Sequence, residues 1–201
     1  MSLKDAQINF LVDMSTDLFM ARSISEVTIK DIAITAQVGE ATIYRYFGSK
    51  QNIVVQAAMK IQGIVSTDFF NLDKGKTGFE KLNLFYKSYY DIFVKYPKFY
   101  KFLDEFDAFV SVENCSTINP YESAVDAYKN FYMDAYKLGL KDGSIKEQAD
   151  IEMFYFSTTH AILELAKKLA AKKAVLNQDT KIEKTSELQC LIDVILNALK
   201  K

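Results

Sequence analysis

Glycine and proline are scarce in this chain and unevenly placed. Seven glycines and two prolines serve 201 residues, with neither type before Gly39 or after Gly143. These two residues punctuate backbone structure, so the long stretches that lack both predict helices. In the first stretch Ile8, Leu11, Val12, Leu18 and Phe19 recur at helical spacing, which predicts one apolar face on a helix ending near Arg22. Thr28 followed by Asp31 has the pattern of a helix start, and predicts a short helix from Ile29 to about Thr35. A third helix is expected over Glu40 to Phe47, stopped by Gly48, and a fourth from Lys50, capped by Ser49 and open to bending at Gly63. The polar stretch from Asn71 to Gly78 marks a break. Thr77 and Glu80 have capping-box spacing before a helix reaching Tyr96, where Pro97 interrupts. Further helices are expected at Lys98 to about Val110, Pro120 to Leu138 with Gly139 as the stop, Glu147 to Lys173, and Thr180 to Lys200, with a loop over Ser111 to Asn119. The fold expected is all-α, with about nine helices.

Composition narrows the class. Hydrophobic residues make up 49% and charged residues 25%, too apolar for a disordered chain. The net charge of -1 removes the usual first sign of a nucleic-acid binder, so any basic surface must be local. Cys115 and Cys190 stand far apart with no ligand-spaced partner, which argues against a metal site and a disulfide framework. No segment has the length and apolarity to cross a bilayer, and the N-terminus lacks a signal-peptide core. A cytoplasmic protein, away from the membrane, is expected.

Three short helices joined by short turns, the last two forming a helix-turn-helix, would place Glu40 to Phe47 in a DNA major groove. Helical trios are common, and the residues themselves are more specific. Leu18-Phe19, Thr28-Ile29-Lys30-Asp31-Ile32-Ala33, Ala36, Val38, Thr42-Ile43-Tyr44-Arg45-Tyr46-Phe47 and Ser49-Lys50 resemble the DNA-binding signature of the TetR family of bacterial repressors, without a gap from Leu11 to Ile53. The resemblance covers about the first quarter of the chain. It implies an N-terminal helix-turn-helix domain, residues 1–50, and a larger helical domain for ligand binding and dimerisation, residues 51–201. It also implies a homodimer controlled through the spacing of its two recognition helices.

Physical roles follow along that register. Thr28 begins a helix whose free amides suit a backbone phosphate. The resemblance makes Tyr44 and Tyr46 candidates for phosphate or sugar, and Lys50 the counterpart of the family's phosphate-binding lysine. Such contacts position a protein without reading bases. Base reading falls to Glu40, Ala41, Thr42 and Arg45, with Arg45 able to take a guanine edge. Ile32, Ala33, Val38, Ile43 and Phe47 are expected to form the core of the small domain. The chain departs from the family pattern at Gln37, where the turn usually has glycine, at Gly39, where a serine cap is usual, and at Glu40, where a lysine or polar residue is usual. Lys30, Arg45 and Lys50 against Asp31 and Glu40 leave little local positive charge, so counterion release on DNA should be modest.

Beyond the first quarter, aromatic residues crowd together. Between Phe79 and Phe109 the sequence has twelve phenylalanines and tyrosines, and there is no tryptophan anywhere. Phe85, Tyr89, Phe93, Tyr100, Phe106, Tyr128 and Tyr132 are candidates to line a pocket for a small hydrophobic or aromatic effector, with Glu105 or Asp104 as a counter-charge for a cationic one. The same rings can instead simply fill a core. The last two helices have broad apolar faces, and the resemblance implies that they pair with a second copy; Ile151, Tyr155, Ile162, Leu188, Ile192 and Ile195 are the dimerisation candidates. His160, on the opposite side of its helix from Ile151, reads as a surface or interface residue.

These features predict a ligand-responsive dimeric repressor acting on double-stranded, roughly palindromic operator DNA, with no cofactor. The alternative keeps the fold but replaces the small molecule with a protein partner. Enzymatic chemistry finds no nucleophile and base, metal cluster or phosphate loop at usable spacing.

Overall fold

The computed structural model describes residues 2–70, 74–113, 118–171 and 181–201. Among these residues the fold is all-α, with nine helices: α1 Leu3–Ala21, α2 Ile29–Thr35, α3 Glu40–Phe47, α4 Lys50–Phe69, α5 Gly78–Lys95, α6 Lys98–Glu113, α7 Asn119–Asp142, α8 Ile151–Ala170 and α9 Lys184–Leu199. The only extended pairing there is an isolated bridge between Ile145 and Lys200. None of the described helices is long and apolar enough to cross a membrane.

Several helix ends lie where the sequence places them, because short polar side chains take up orphan amides. Thr28 and Asp31 form a reciprocal capping box at α2, and Thr77 and Glu80 form another at α5. The bonds from Thr28 hold the Asp31 carboxyl below the usual carboxylate range. Other boundaries differ. α6 continues to Glu113 rather than ending near Val110, and α8 starts at Ile151, capped by Asp150, rather than at Glu147. α4 runs through Gly63 without interruption. The expected breaks at 71–73 and 114–117, the last residues of the helix expected to reach Lys173, and the start expected at Thr180 lie outside the described residues.

Gly139 is not the end of α7. The helix continues to Asp142, and Gly143, at φ 76°, takes the left-handed turn instead. Gly139 serves close packing. A Cβ on Gly78 would lie 2.1 Å from the Gly139 nitrogen, and one on Gly139 would lie 2.2 Å from Ile145 Cδ1. The start of α5 therefore touches the backbone of α7, and polar groups complete the joint. The Gly78 amide donates to Asp142 Oδ2 at 2.8 Å and the Phe79 amide to Ser144 Oγ at 3.1 Å.

Packing divides the chain into two compact units, one of residues Met1–Ile64 and Phe102–Ala124, the other of Val65–Lys101 and Val125–Lys201. This grouping does not coincide with a division at residue 50. In the first unit Leu11, Phe19, Ile24, Val27, Ile32, Ile43, Phe47 and Ile53 are buried with Phe102 and Phe106 of α6. In the second, the core is built on Leu82, Phe85, Tyr86, Tyr132, Ile162, Leu188 and Leu199.

A methyl group at Gly78 has backbone atoms in its way, which cannot swing aside as a side chain can. Gly78→Ala is expected to cost about 3 kcal/mol, the upper part of the range for overpacking, read as a lower urea midpoint in circular dichroism.

Candidate nucleic-acid interface

α2 and α3 are joined through a turn that the sequence makes expensive. The Gln37 amide donates to the Ile34 carbonyl at 3.1 Å and the Val38 amide to the Ala33 carbonyl at 2.9 Å, the bonding of a Schellman motif. That motif needs a left-handed residue after the cap, and Gln37 supplies it at φ 55°. Gly39 then caps α3 with no side-chain bond, in an extended conformation open to any residue. Ile43 and Phe47 are buried, which fixes the rotation of α3. Glu40, Ala41, Tyr44 and Arg45 share the exposed side, and Thr42 is half-buried. Tyr44 leaves 52% of its surface to solvent, a large aromatic side chain projecting from the unit.

The other expected DNA contacts have partners within the chain. The Thr28 hydroxyl donates to Asp31 Oδ2 at 2.7 Å and accepts from the Asp31 amide at 3.1 Å. The Tyr46 hydroxyl donates to Gln7 Oε1 of α1 at 2.6 Å, and its ring borders a cavity with Ile8, Phe47, Asn52 and Val55. Arg45 lies against that ring, its guanidinium carbon 4.9 Å from the ring centre. The Lys50 ammonium donates to the Ile24 carbonyl at 2.6 Å and stands 5.8 Å from the centre of the Phe109 ring. The tips of Tyr46 and Lys50 thus also reach α1 and the α1–α2 turn, contacts additional to the phosphate roles expected of them. Spacing along a helix gives a residue's side, but not the partner that captures a long polar tip. Among the expected core residues Ile32, Ala33, Ile43 and Phe47 are buried, and Val38 is half-buried.

A cavity of about 460 Å3 adjoins Lys50, lined by Ser23, Ile24, Ser25, Gln51, Glu105, Ala108, Phe109 and Val112. Glu105 accepts the Ile24 amide proton at 2.7 Å. The sequence suggests this carboxylate as a counter-charge to a ligand, and its bond to the turn has no local signature, since eighty-one residues separate the two partners.

The aromatic candidates fall into three groups. Phe85, Tyr89, Tyr128 and Tyr132 join Phe70, Tyr86 and Tyr155 in one cluster, with Phe85 5.4 Å from Tyr89 and 5.3 Å from Tyr132, both edge-on. Phe93 pairs with Tyr100, whose hydroxyl donates to the Tyr89 carbonyl at 2.8 Å. Phe106 belongs to the other unit, against Phe102 and Tyr121. Tyr86 forms hydroxyl contacts with Tyr132 at 3.0 Å and Thr158 at 2.8 Å, and burial pushes its pKa up to about 12. Burial likewise raises Tyr132, so both phenols are neutral at pH 7.

Of the dimerisation candidates, Tyr155, Ile162, Leu188, Ile192 and Ile195 are buried within their own chain, and Ile151 is half-buried. The apolar stripes that periodicity marks on α8 and α9 face the core, while Met153, Phe156 and Val194 are the large apolar residues these helices expose. His160 is exposed, its ring 5.8 Å from that of Phe156.

Residues 11–57 match the family described as bacterial regulatory proteins, tetR family. No curated protein matches the chain by sequence. Among solved structures, a putative TetR-family transcriptional regulator from Rhodococcus sp. is similar with a TM-score of 0.73 at 17% identity, over 95% of this chain and 99% of that one. The transcriptional regulator FadR from Bacillus subtilis, in complex with stearoyl-CoA, gives 0.67 at 16% identity, over 95% and 98%. A ketosteroid transcriptional regulator of Mycobacterium tuberculosis gives 0.62 at 13% identity, over 100% and 96%. At these identities the similarity is one of fold.

Gln37 bears the steric cost of a left-handed backbone that glycine avoids. Gln37→Gly is expected to stabilise the chain by about 0.5 to 1 kcal/mol, after the extra freedom of glycine in the unfolded state is deducted, measured as a raised urea midpoint.

Proposed function

We propose, from the match of residues 11–57 to the tetR family of bacterial regulatory proteins, that this chain is a homodimeric repressor released from a palindromic operator by a small apolar or aromatic effector. The observation that carries the DNA-reading part is the exposed side of α3, where Glu40, Ala41, Tyr44 and Arg45 stand opposite the buried Ile43 and Phe47. A helix held by one face offers the other to the major groove. Arg45 and Glu40 take base edges and Ala41 and Thr42 flank them, while Tyr44 and the start of α2 at Thr28 hold the phosphate backbone. Tyr46 and Lys50 add contacts to the phosphate backbone while bracing Arg45 and the α1–α2 turn.

Residues 1–50 then carry DNA recognition, and residues 51–201 the response and the dimer. Met153, Phe156 and Val194, exposed on α8 and α9, supply apolar surface for the second copy. The concentration of rings in the second unit supports an apolar ligand, and the similar fold of a regulator in complex with stearoyl-CoA agrees with one. Control by a protein partner is the second reading. The edge-on packing of Phe85, Tyr89 and Tyr132 favours it, because those rings already fill the space beside one another.

Selection of duplexes from random-sequence DNA by the full chain, followed by footprinting, is expected to yield two inverted half-sites. Tyr44→Ala and Arg45→Ala should each weaken binding to the selected duplex by tenfold or more, with Arg45→Ala also relaxing preference at one base pair per half-site. Selection of no duplex, or binding unchanged in both variants, removes the assignment. The two readings of control part on a gel shift with the selected duplex: a long-chain acyl-CoA or an apolar aromatic compound releases the protein under the first, and only an added protein does so under the second.

A further inference from the structure

We infer that Glu105 of α6 is a positioning residue for DNA recognition, holding the turn that leads into α2 by accepting the Ile24 amide proton. The inference rests on the reading of α2 and α3 as the DNA-contacting helices.

The turn leaves this amide in need of a partner. The Ser23 carbonyl receives the amides of Glu26 and Val27, at 3.1 and 3.2 Å, and those bonds close the turn without using either polar group of Ile24. The Ile24 side chain is 1% exposed, so its peptide is drawn inward. An unsatisfied amide there is costly. Two side chains from distant parts of the sequence meet the need. Glu105 Oε2 accepts the Ile24 N–H at 2.7 Å, and the Lys50 ammonium donates to the Ile24 carbonyl at 2.6 Å. Glu105 is held in place by its own helix, where Phe106 is buried against Phe102 and Tyr121.

Four residues beyond Ile24, Thr28 caps α2. Holding Ile24 on both sides therefore limits where α2 begins, and α3 follows through the strained turn at Gln37. Without the Glu105 bond the turn samples other arrangements, and apparent DNA affinity falls with the competent fraction. What matters in this account is the reach of the acceptor oxygen, rather than its charge.

Two conservative variants of the full chain separate these properties. Glu105→Gln keeps an acceptor oxygen at the same reach and loses the charge; Glu105→Asp keeps the charge and withdraws the acceptor by one methylene. On a duplex selected by the wild-type chain, Glu105→Gln is expected to bind within about twofold of wild type and Glu105→Asp about tenfold more weakly. Hydrogen exchange at the Ile24 amide of the free protein should quicken in the aspartate variant and stay slow in the glutamine variant, with the aspartate variant melting only a few degrees lower and both fully folded at the assay temperature. The reverse order of affinities, equal affinities in all three proteins, or weaker binding fully accounted for by unfolded chain at the assay temperature would overturn the inference. Failure of the wild-type chain to select any duplex would overturn the DNA-binding reading and the inference with it, whereas wild-type binding by the aspartate variant would overturn the inference alone.

Discussion

α2 and α3 have seven and eight residues, well short of the roughly 12 to 15 at which an isolated helix becomes even marginal in water. Everything the first unit can do with DNA depends on burial of their inner faces. Ile32 and Ile43 are fully buried and Phe47 nearly so, and each such side chain contributes on the order of 1.5 to 3 kcal/mol of transfer free energy. Burial also sets rotation. With Ile43 and Phe47 inward, Glu40, Ala41, Tyr44 and Arg45 have only the outside left. The surface proposed to read DNA is thus the remainder of a packing solution.

The same economy explains the modest local charge. Lys50 is held by the Ile24 carbonyl, and Arg22 lies 3.5 Å from Asp31, so part of the basic complement serves internal structure. A regulator built this way depends on the placement of a few exposed groups more than on bulk attraction to phosphate. Its turns accordingly bear unusual constraint, from the left-handed Gln37 to the doubly held Ile24.

The second unit solves a different problem. An interior rich in tyrosine must find partners for buried hydroxyls, and among the described residues several are paired within the second unit. Tyr86 joins Tyr132 and Thr158, Tyr100 uses the Tyr89 carbonyl, and Tyr136 accepts from the Gln148 amide at 2.7 Å. These bonds fix ring orientations that apolar packing alone would leave loose. They give the interior a defined shape, whether it serves as core or admits a ligand.

The sequence by itself determined the helices, the capping boxes at Thr28 and Thr77, and the buried side of α3, because each follows from contacts within a few residues or from a period of 3.6. The match of residues 11–57 to the tetR family has the same origin, an uninterrupted local pattern. Tertiary structure alone decided what lies opposite. Gly139 reads as a helix stop until Gly78 is seen against it, and the bonds of Tyr46 to Gln7 and of Lys50 to Ile24 join segments that no local pattern connects. The apolar stripes of α8 and α9 likewise announce burial without naming the partner, and Ile162, Leu188 and Ile192 are covered by their own chain. Periodicity records that a face is removed from water. Which surface removes it depends on contacts between distant segments, and a linear pattern contains no term for those.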